Sequence, residues 1–381
     1  TSMKLIHLSD LHLSKRVNGF SMLEDQRYIL QEILHIIDRE APDGVLIAGD
    51  VYDKSVPPAE AVALLDEFLV ELSRRQLQVY LISGNHDSPE RLAFGGRLMA
   101  QSGVHVAPVY DGRIVSFTQQ DQYGSVEIFL LPFLKPAHVR RFFPDDPIDS
   151  YTDALRTVLS HAAVPTDKRT VLVTHQFVTG ASRCDSEDIS VGGSDNVDAA
   201  VFAPFDYVAL GHIHNPQSAG GAHIRYCGTP LKYSFSEAAH EKSVTVVELR
   251  QKGDVDIRTI PLKPLRDMAE LRGTYESLTF RGFYEGTTYP RDYLHITLTD
   301  EEDIPDAVSK LRVIYPNLMQ LSYDNARTRA GVLTAPTEQT AQKTPLELTE
   351  AFYEGQNGQP MNDAQREFLR GLMERIWEEE A

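Results

Sequence analysis

Cysteine is nearly missing from this chain: among 381 residues only Cys184 and Cys227 carry thiols. Two cysteines are too few for a disulfide framework, and they favour a reducing cytoplasm as the working compartment. Long apolar runs are missing too. None approaches the ~20 residues that a membrane span needs, and the start of the chain has no secretory pattern, so the reading has no membrane in it. Positive charge is scarce, with 37 Lys and Arg against 55 Asp and Glu and a formal net charge of -18. Nucleic acid is normally held by Lys and Arg that release counterions, so the overall field of this chain opposes it. A nucleic-acid role therefore requires bound cations, a local basic patch or a basic partner.

What is present is a set of short apolar runs that each end in carboxylate, amide or imidazole side chains, complementary ligand types. Val79-Tyr80-Leu81-Ile82 stops at Gly84 and delivers Asn85, His86 and Asp87. Leu5-Ile6-His7-Leu8 delivers Asp10 and His12, and Val45-Leu46-Ile47-Ala48 delivers Gly49 and Asp50. Thr170-Val171-Leu172-Val173 delivers His175, and Tyr207-Val208-Ala209-Leu210 delivers Gly211, His212 and His214. Short β-branched runs ending in glycine or polar residues read as buried strands, and strand ends are where open α/β sheets keep their sites.

Alternation of such runs with helical patterns from Met3 to about Pro261 predicts an α/β domain. Ser21-Met22-Leu23-Glu24 fits a capping box for the first helix. That helix carries two apolar stripes, Leu23, Leu30, Leu34 and Ile37, and Met22, Ile29, Ile33 and Ile36. One stripe suffices to cover a sheet, which leaves the other for its own domain or for a subunit contact. A second helix follows Pro57-Pro58 with Val62, Leu65, Phe68, Leu69 and Leu72. Residues 182–196 are polar and glycine-containing, as expected of a loop near the site. Alternating runs at 293–298 and 319–323, with a helix between, suggest a small β-α-β-type unit. Residues 327–343 are rich in Thr, Ala, Gln and Pro, a linker composition. Beyond it Thr344-Pro345-Leu346-Glu347 starts a helix and Asn362 caps another. The last helix has the rows Leu369, Met373, Trp377 and Phe368, Leu372, Ile376, which need something to dock on.

If the five strand tips converge, Asp10, His12, Asp50, Asn85, His175, His212 and His214 form one ligand set. Carboxylate, amide and imidazole without thiolate suit Mn²⁺, Fe or Zn²⁺ rather than Ca²⁺ or a structural zinc. Seven ligands exceed what one open ion uses, whereas two ions ~3.5–4 Å apart and bridged by a carboxylate use them well. Such a pair activates water and stabilises charge on a phosphoryl group, which makes phosphate ester hydrolysis the natural reaction.

The ordered set Asp10-Leu11-His12, Gly49-Asp50, Gly84-Asn85-His86-Asp87, His175 and Gly211-His212-Ile213-His214 resembles the five motifs of the calcineurin-like metallophosphoesterases. The resemblance implies an α/β fold with a β-sandwich flanked by helices. It implies one ion on Asp10, His12, Asp50 and His214 and a second on Asp50, Asn85, His175 and His212. His86 would contact the scissile phosphate as an acid, with Asp87 orienting its ring. The chain departs from the Ser/Thr phosphatases of the superfamily, because Asp53-Lys54-Ser55 stands where they carry aspartate-arginine-glycine and the third motif ends in Asp87 rather than glutamate. Residues 49–58, with Thr174-His175-Gln176-Phe177-Val178 and Leu8-Ser9-Asp10-Leu11-His12-Leu13, are similar instead to bacterial DNA-nuclease subunits of the same superfamily.

That likeness implies a nuclease domain over residues 3–262, a small α+β capping domain that touches DNA over 265–326, a linker over 327–343 and a C-terminal helical tail over 344–381. It further implies Mn²⁺, with Mg²⁺ as a weaker substitute, and a coiled-coil ATPase partner bound by the tail. The first long helix would help to form a nuclease homodimer within a heterotetramer. Archaeal and eukaryotic relatives carry histidine at the position of Asp53, so the role of Asp53 stays open between support of His86, binding of a water and a simple turn carboxylate. The rival readings are a stand-alone phosphoesterase on small substrates and a binding platform that keeps the fold without the chemistry.

Overall fold

The computed structural model describes residues 1–187, 195–326, 328–329, 344–357 and 360–379. Runs of Val, Ile and Leu too short for helices form strands buried on both faces. Met3–Leu8, Gly44–Ala48, Gln78–Ile82 and Val104–Val106 lie parallel in one six-stranded sheet. Ser243–Leu249 and Val255–Pro261 complete it in antiparallel pairing. The second six-stranded sheet centres on Arg169–His175, with Gly124–Leu131 and Tyr207–Gly211 parallel on either side. Registers such as Ala48 opposite Ile82 and Gly211 opposite His175 bring parallel strands to an end together.

Alternation along each strand sorts side chains into layers. Leu5, Leu46, Tyr80 and Ile82 meet Ile128, Leu130, Val171 and Val173 in one buried core between the sheets. Ile6, Val45, Ile47, Val79 and Leu81 face outward to the helices Leu23–Glu40 and Ala59–Arg74, and Leu172, Val208 and Leu210 pack with Tyr151–His161. The result is the β-sandwich flanked by helices. Buried His7 ties the sheets, with Nδ1 2.8 Å from Tyr207 Oη and Nε2 3.1 Å from the Leu210 carbonyl oxygen.

Three local expectations give way to tertiary contacts. Ser21 pairs with Arg16 in a short strand rather than capping the first helix, and Glu24 reaches Arg266 instead of turning back. Both apolar stripes of Leu23–Glu40 are largely buried within the chain, and Tyr28, 37% exposed, is the large hydrophobic on its outer face. In Ala59–Arg74, Val62 is exposed while Ala61 and Leu64 turn inward.

Met268–Gly273, Tyr293–Leu298 and Leu318–Tyr323 form a separate three-stranded parallel sheet over a core of Leu271, Leu294, Ile296, Leu311 and Tyr315. The first of these strands is not evident in the sequence because Glu270 and Arg272 interrupt the apolar pattern. Arg266 and Tyr293 fasten this sheet to the first helix. Both bond the buried Asp25 carboxylate, at 2.9 Å and 2.6 Å. A cavity of about 270 Å³ beside this junction is lined by Met22, Leu231, Lys232, Arg266 and Tyr293, and by none of the predicted site residues.

The helices Pro345–Asn357 and Asp363–Glu379 follow. Each starts with a reciprocal box, Thr344 with Glu347 and Asn362 with Gln365. Apart from residues 328 and 329, the expected linker lies outside the described residues. So do residues 188–194 of the expected loop and the side chain of Trp377. No helix among the described residues is long and apolar enough to cross a membrane.

Candidate metal centre

Parallel strands put their carboxyl ends at one edge, and the chain turns sharply just past each one. Asp10, His12, Asp50 and His212 all have positive φ, at 53°, 45°, 47° and 107°. Left-handed backbone is rare and strained for residues with a Cβ, and it persists where surrounding contacts enforce it. Here the enforcing contacts are hydrogen bonds between neighbouring strand tips. The Asp10 amide donates to the Gly49 carbonyl at 3.0 Å and the His12 amide to the Asp50 carbonyl at 2.9 Å. The His212 amide donates to the Asp10 carboxylate at 3.0 Å.

All seven predicted ligands come together. Ligand atoms of Asp10, His12 and His214 lie within 4.8 Å of one another, as do those of Asp50, His175 and His212. Asp50 stands between the groups, its Oδ2 3.6 Å from His12 Nε2 and 3.3 Å from His175 Nε2. Asn85 Oδ1 lies 2.9 Å from His175 Nε2 and 3.1 Å from His212 Nδ1. His86 borders the cluster, with its amide on Asp50 Oδ1 at 2.9 Å and its Nδ1 3.1 Å from the Asp53 carbonyl oxygen. The Asp87 carboxylate accepts from the amides of Val51, Tyr52 and Gly84 at 3.1, 2.9 and 2.9 Å. It holds the two loops together.

The partners behind the imidazoles decide which nitrogen is free. A carbonyl only accepts, so His175 Nδ1, 2.8 Å from the Ala48 carbonyl oxygen, carries a hydrogen and Nε2 points into the cluster. Ser186 Oγ donates to Glu237 Oε2 at 2.9 Å, leaving an oxygen lone pair for His214 Nδ1 at 2.7 Å. His214 Nε2 then faces inward, 3.2 Å from His12 Nε2. Inward nitrogens beside Asp50 and Asn85 oxygens form a donor set that a divalent cation satisfies, so the residues fit metal binding.

The electrostatics carry the same demand. Burial pushes the Asp10 carboxyl up to about 7, against the pull of His175. Burial opposes charge on Asp50 as well, yet His175 and His86 hold its carboxyl well below the ordinary range. For His175, burial is outweighed by Asp50 and Asp10, which lift it to about 9. Burial, with His175 alongside, lowers His212 to about 3, and burial with His12 alongside lowers His214 well below 6.5. Anionic and neutral ligands thus lie side by side in a buried site, a pattern characteristic of functional centres.

The supporting groups could not be read from the sequence. Glu187 accepts from the His214 amide at 2.7 Å, and Lys242 donates to the His214 carbonyl at 2.8 Å and to Glu237 at 2.9 Å. Nothing in their spacing links them to histidines far away in the chain. A further group, Cys184, Glu237 and His240, also has ligand atoms within 4.8 Å. Its Glu237 oxygens are already taken by Ser186, Lys242, Ser234 and the Tyr233 amide.

Residues 3–216 match the family described as Calcineurin-like phosphoesterase. Residues 264–357 match one described as Type 5 capsule protein repressor C-terminal domain. A protein of Staphylococcus epidermidis, named as the SbcD component of the nuclease SbcCD, is 32% identical over 386 residues, covering 99% of this chain and 100% of that protein. One of the same name from Staphylococcus saprophyticus is 32% identical over 382 residues, covering 99% of each. Among solved structures, a dimetal phosphatase from Danio rerio aligns with a TM-score of 0.42 at 12% identity, over 69% of this chain and 98% of that one.

Proposed function

The chain belongs to the calcineurin-like phosphoesterase family and, within it, to the branch of the SbcD nucleases, and from that premise we propose that it is the metal-dependent nuclease of an SbcCD-type complex. In this reading it hydrolyses DNA phosphodiester bonds with two divalent ions, Mn²⁺ and more weakly Mg²⁺. It is a 3′-to-5′ exonuclease on double strands and an endonuclease on hairpins and single strands, in DNA end processing, repair and recombination. The observation that carries the reading is the position of Asp50 between two groups of ligand atoms.

Asp10, His12, Asp50 and His214 would hold one ion, and Asp50, Asn85, His175 and His212 the other. Bound there, the ions supply Lewis acidity toward phosphoryl oxygens and lower the pKa of a water. The chain's own proton chemistry falls to His86. Its Nδ1 faces a carbonyl and so carries a hydrogen in either charge state, which makes Nε2 the atom that gives a proton to the leaving oxygen. Asp87 supports this by fixing the loop that carries the ring.

The name shared by the relatives supports an SbcC-type coiled-coil ATPase as partner, and a basic surface on that partner would offset the charge of -18. Residues 3–262 serve as the nuclease domain, 265–326 as a cap that contacts DNA, 327–343 as a linker and 344–381 as the partner-binding tail. The homodimer would use the outer face of Leu23–Glu40, with Tyr28 exposed on it, and Phe94 and Leu98, 85% and 74% exposed just beyond the third motif, offer further apolar surface for such a contact. Two free cysteines are in keeping with the cytoplasm.

The test is hydrolysis of an end-labelled DNA hairpin beside bis-p-nitrophenyl phosphate, with Mn²⁺, Mg²⁺ or chelator, by wild type and Asp50→Ala. Cleavage of the hairpin that needs Mn²⁺ and is lost in Asp50→Ala is the expected result. Turnover of the small diester with the hairpin left intact, even after an SbcC-type ATPase is added, would overturn the DNA assignment.

A further inference from the structure

Asp53 stands outside the seven proposed ligands, yet it lies against both His12 and His86. Its side chain is only 14% exposed, and Oδ1 lies 3.0 Å from Lys15 Nζ and 3.4 Å from His12 Nδ1. The second distance is that of an ion pair rather than of a mature hydrogen bond. His12 Nδ1 is otherwise a buried nitrogen with no hydrogen-bond partner. The main chain of the same residue faces the other imidazole, since the Asp53 carbonyl oxygen lies 3.1 Å from His86 Nδ1. The residue is itself held in place, because its amide donates to the Leu13 carbonyl at 3.2 Å and Lys15 is tied back to the His12 carbonyl at 2.9 Å.

We propose that Asp53 is the positioning residue that, through its carboxylate, sets the tautomer of the ligand His12. This role of Asp53 rests on the two-metal reading above. A carboxylate and a carbonyl are both acceptors without a hydrogen to give, so each imidazole must turn a protonated Nδ1 toward Asp53. For His12 this leaves the Nε2 lone pair aimed at Asp50 and His214, which are 3.6 Å and 3.2 Å from it. For His86 it leaves Nε2 as the atom that exchanges a proton. His175 and His214 are fixed in the same way by Ala48 and Ser186, whereas His12 has Asp53 in that place. A carboxylate behind a ligating imidazole orients the ring and raises its basicity, and removing such a group typically weakens metal binding ~10-fold or more. Lys15 keeps the carboxylate charged and turned toward His12.

The test uses MnCl₂ alone as the probe, on full-length wild type, Asp53→Ala, Asp53→Asn and Asp50→Ala. Mn²⁺ affinity is followed by electron paramagnetic resonance and calorimetry across pH, and metal-free melting temperatures are recorded beside it. Asp53→Ala is expected to lose ~10-fold in affinity at one of the two sites and to shift the pH profile of binding, with the metal-free melting temperature unmoved. Asp53→Asn keeps an acceptor and is expected to recover part of the loss. Wild-type affinity and an unshifted profile in Asp53→Ala would overturn the assignment. So would an equal loss in Asp53→Asn accompanied by a lowered metal-free melting temperature. If Asp50→Ala also bound two Mn²⁺ as wild type does, the two-metal reading itself would fail, and the two failures are thus told apart.

Discussion

At the scale of single residues the centre is a set of proton sites waiting for a competitor. Asp10 is held up to about 7 by burial, and His175 is lifted to about 9 by Asp50 and Asp10 against its burial. A cation must displace a proton from each, because metal ligands bind in their deprotonated forms. The sign follows directly. Mn²⁺ affinity should rise with pH through about 7 and again toward about 9, and fall as the solution is made more acidic. Calorimetric titration in two buffers of different ionisation enthalpy would show protons released on binding near neutral pH. A pH-independent affinity with no proton release would contradict the charge pattern. The metal-free protein has a matching dependence, since a histidine raised from 6.5 contributes stability present below 6.5 that is lost as pH rises through about 9. At this scale the sequence is highly legible for ligands. Asp10, His12, Asp50, Asn85 and the candidate ligands His175, His212 and His214 each follow an apolar run, so type and position are visible together. It is nearly silent on what stands behind them. Ser186, Glu237 and Lys242 meet His214 only through the fold, and the Asp87 carboxylate gathers the amides of Val51, Tyr52 and Gly84 only once the loops are brought together.

At the scale of elements, the ligands meet because strand ends from two sheets approach with no side chain between them. Gly211 ends its strand against the Ala48 carbonyl, and a Cβ there would overlap that oxygen and reach 2.7 Å from His175 Nδ1. The obstruction is backbone, which has no rotamer with which to move away. Gly211→Ala should therefore push the strand tips apart, costing about 2 kcal/mol or more and weakening binding of both ions together. Thermal melting of the metal-free protein beside Mn²⁺ titration reads both effects. A variant that melts and binds like wild type would mean that the sheets part there without strain. This is also where local pattern misleads. The Ser21 capping box is well formed on paper, but Arg266 draws Glu24 away and the short pairing of Ser21 with Arg16 removes the cap. The two stripes of Leu23–Glu40 show how much of the helix is apolar without showing that a single chain covers both. By contrast, the caps at Thr344 and Asn362 are legible because the helices they start have few tertiary contacts to override them.

At the scale of the whole molecule, apolar surface is distributed unevenly. The sandwich and the three-stranded sheet cover their own cores, and Asp25, Arg266 and Tyr293 join them through a buried carboxylate. The two terminal helices do not. Phe352 and Phe368 are 69% and 67% exposed, and Leu372 and Ile376 continue the row of Phe368 at helical spacing. Polar links such as Arg366 to Glu350 and Gln365 to Tyr353 hold the pair to each other while that row faces outward. Burying it is worth ~1.5–3 kcal/mol for each large side chain, enough for a helix-in-groove contact. The proposed metal ligands lie in residues 10–214 and share no hydrogen bond with the terminal pair among the described residues. Removing residues 344–381 should accordingly leave Mn²⁺-dependent hydrolysis of bis-p-nitrophenyl phosphate close to wild type and abolish binding of the proposed ATPase partner. Phe352→Asp with Phe368→Asp in the full chain should weaken the same binding without the truncation. Size-exclusion chromatography with the partner and diester turnover on the same samples separate the two functions. Partner binding that survived both changes would place the contact elsewhere, and loss of turnover with the tail would mean that the terminal helices support the metal centre after all.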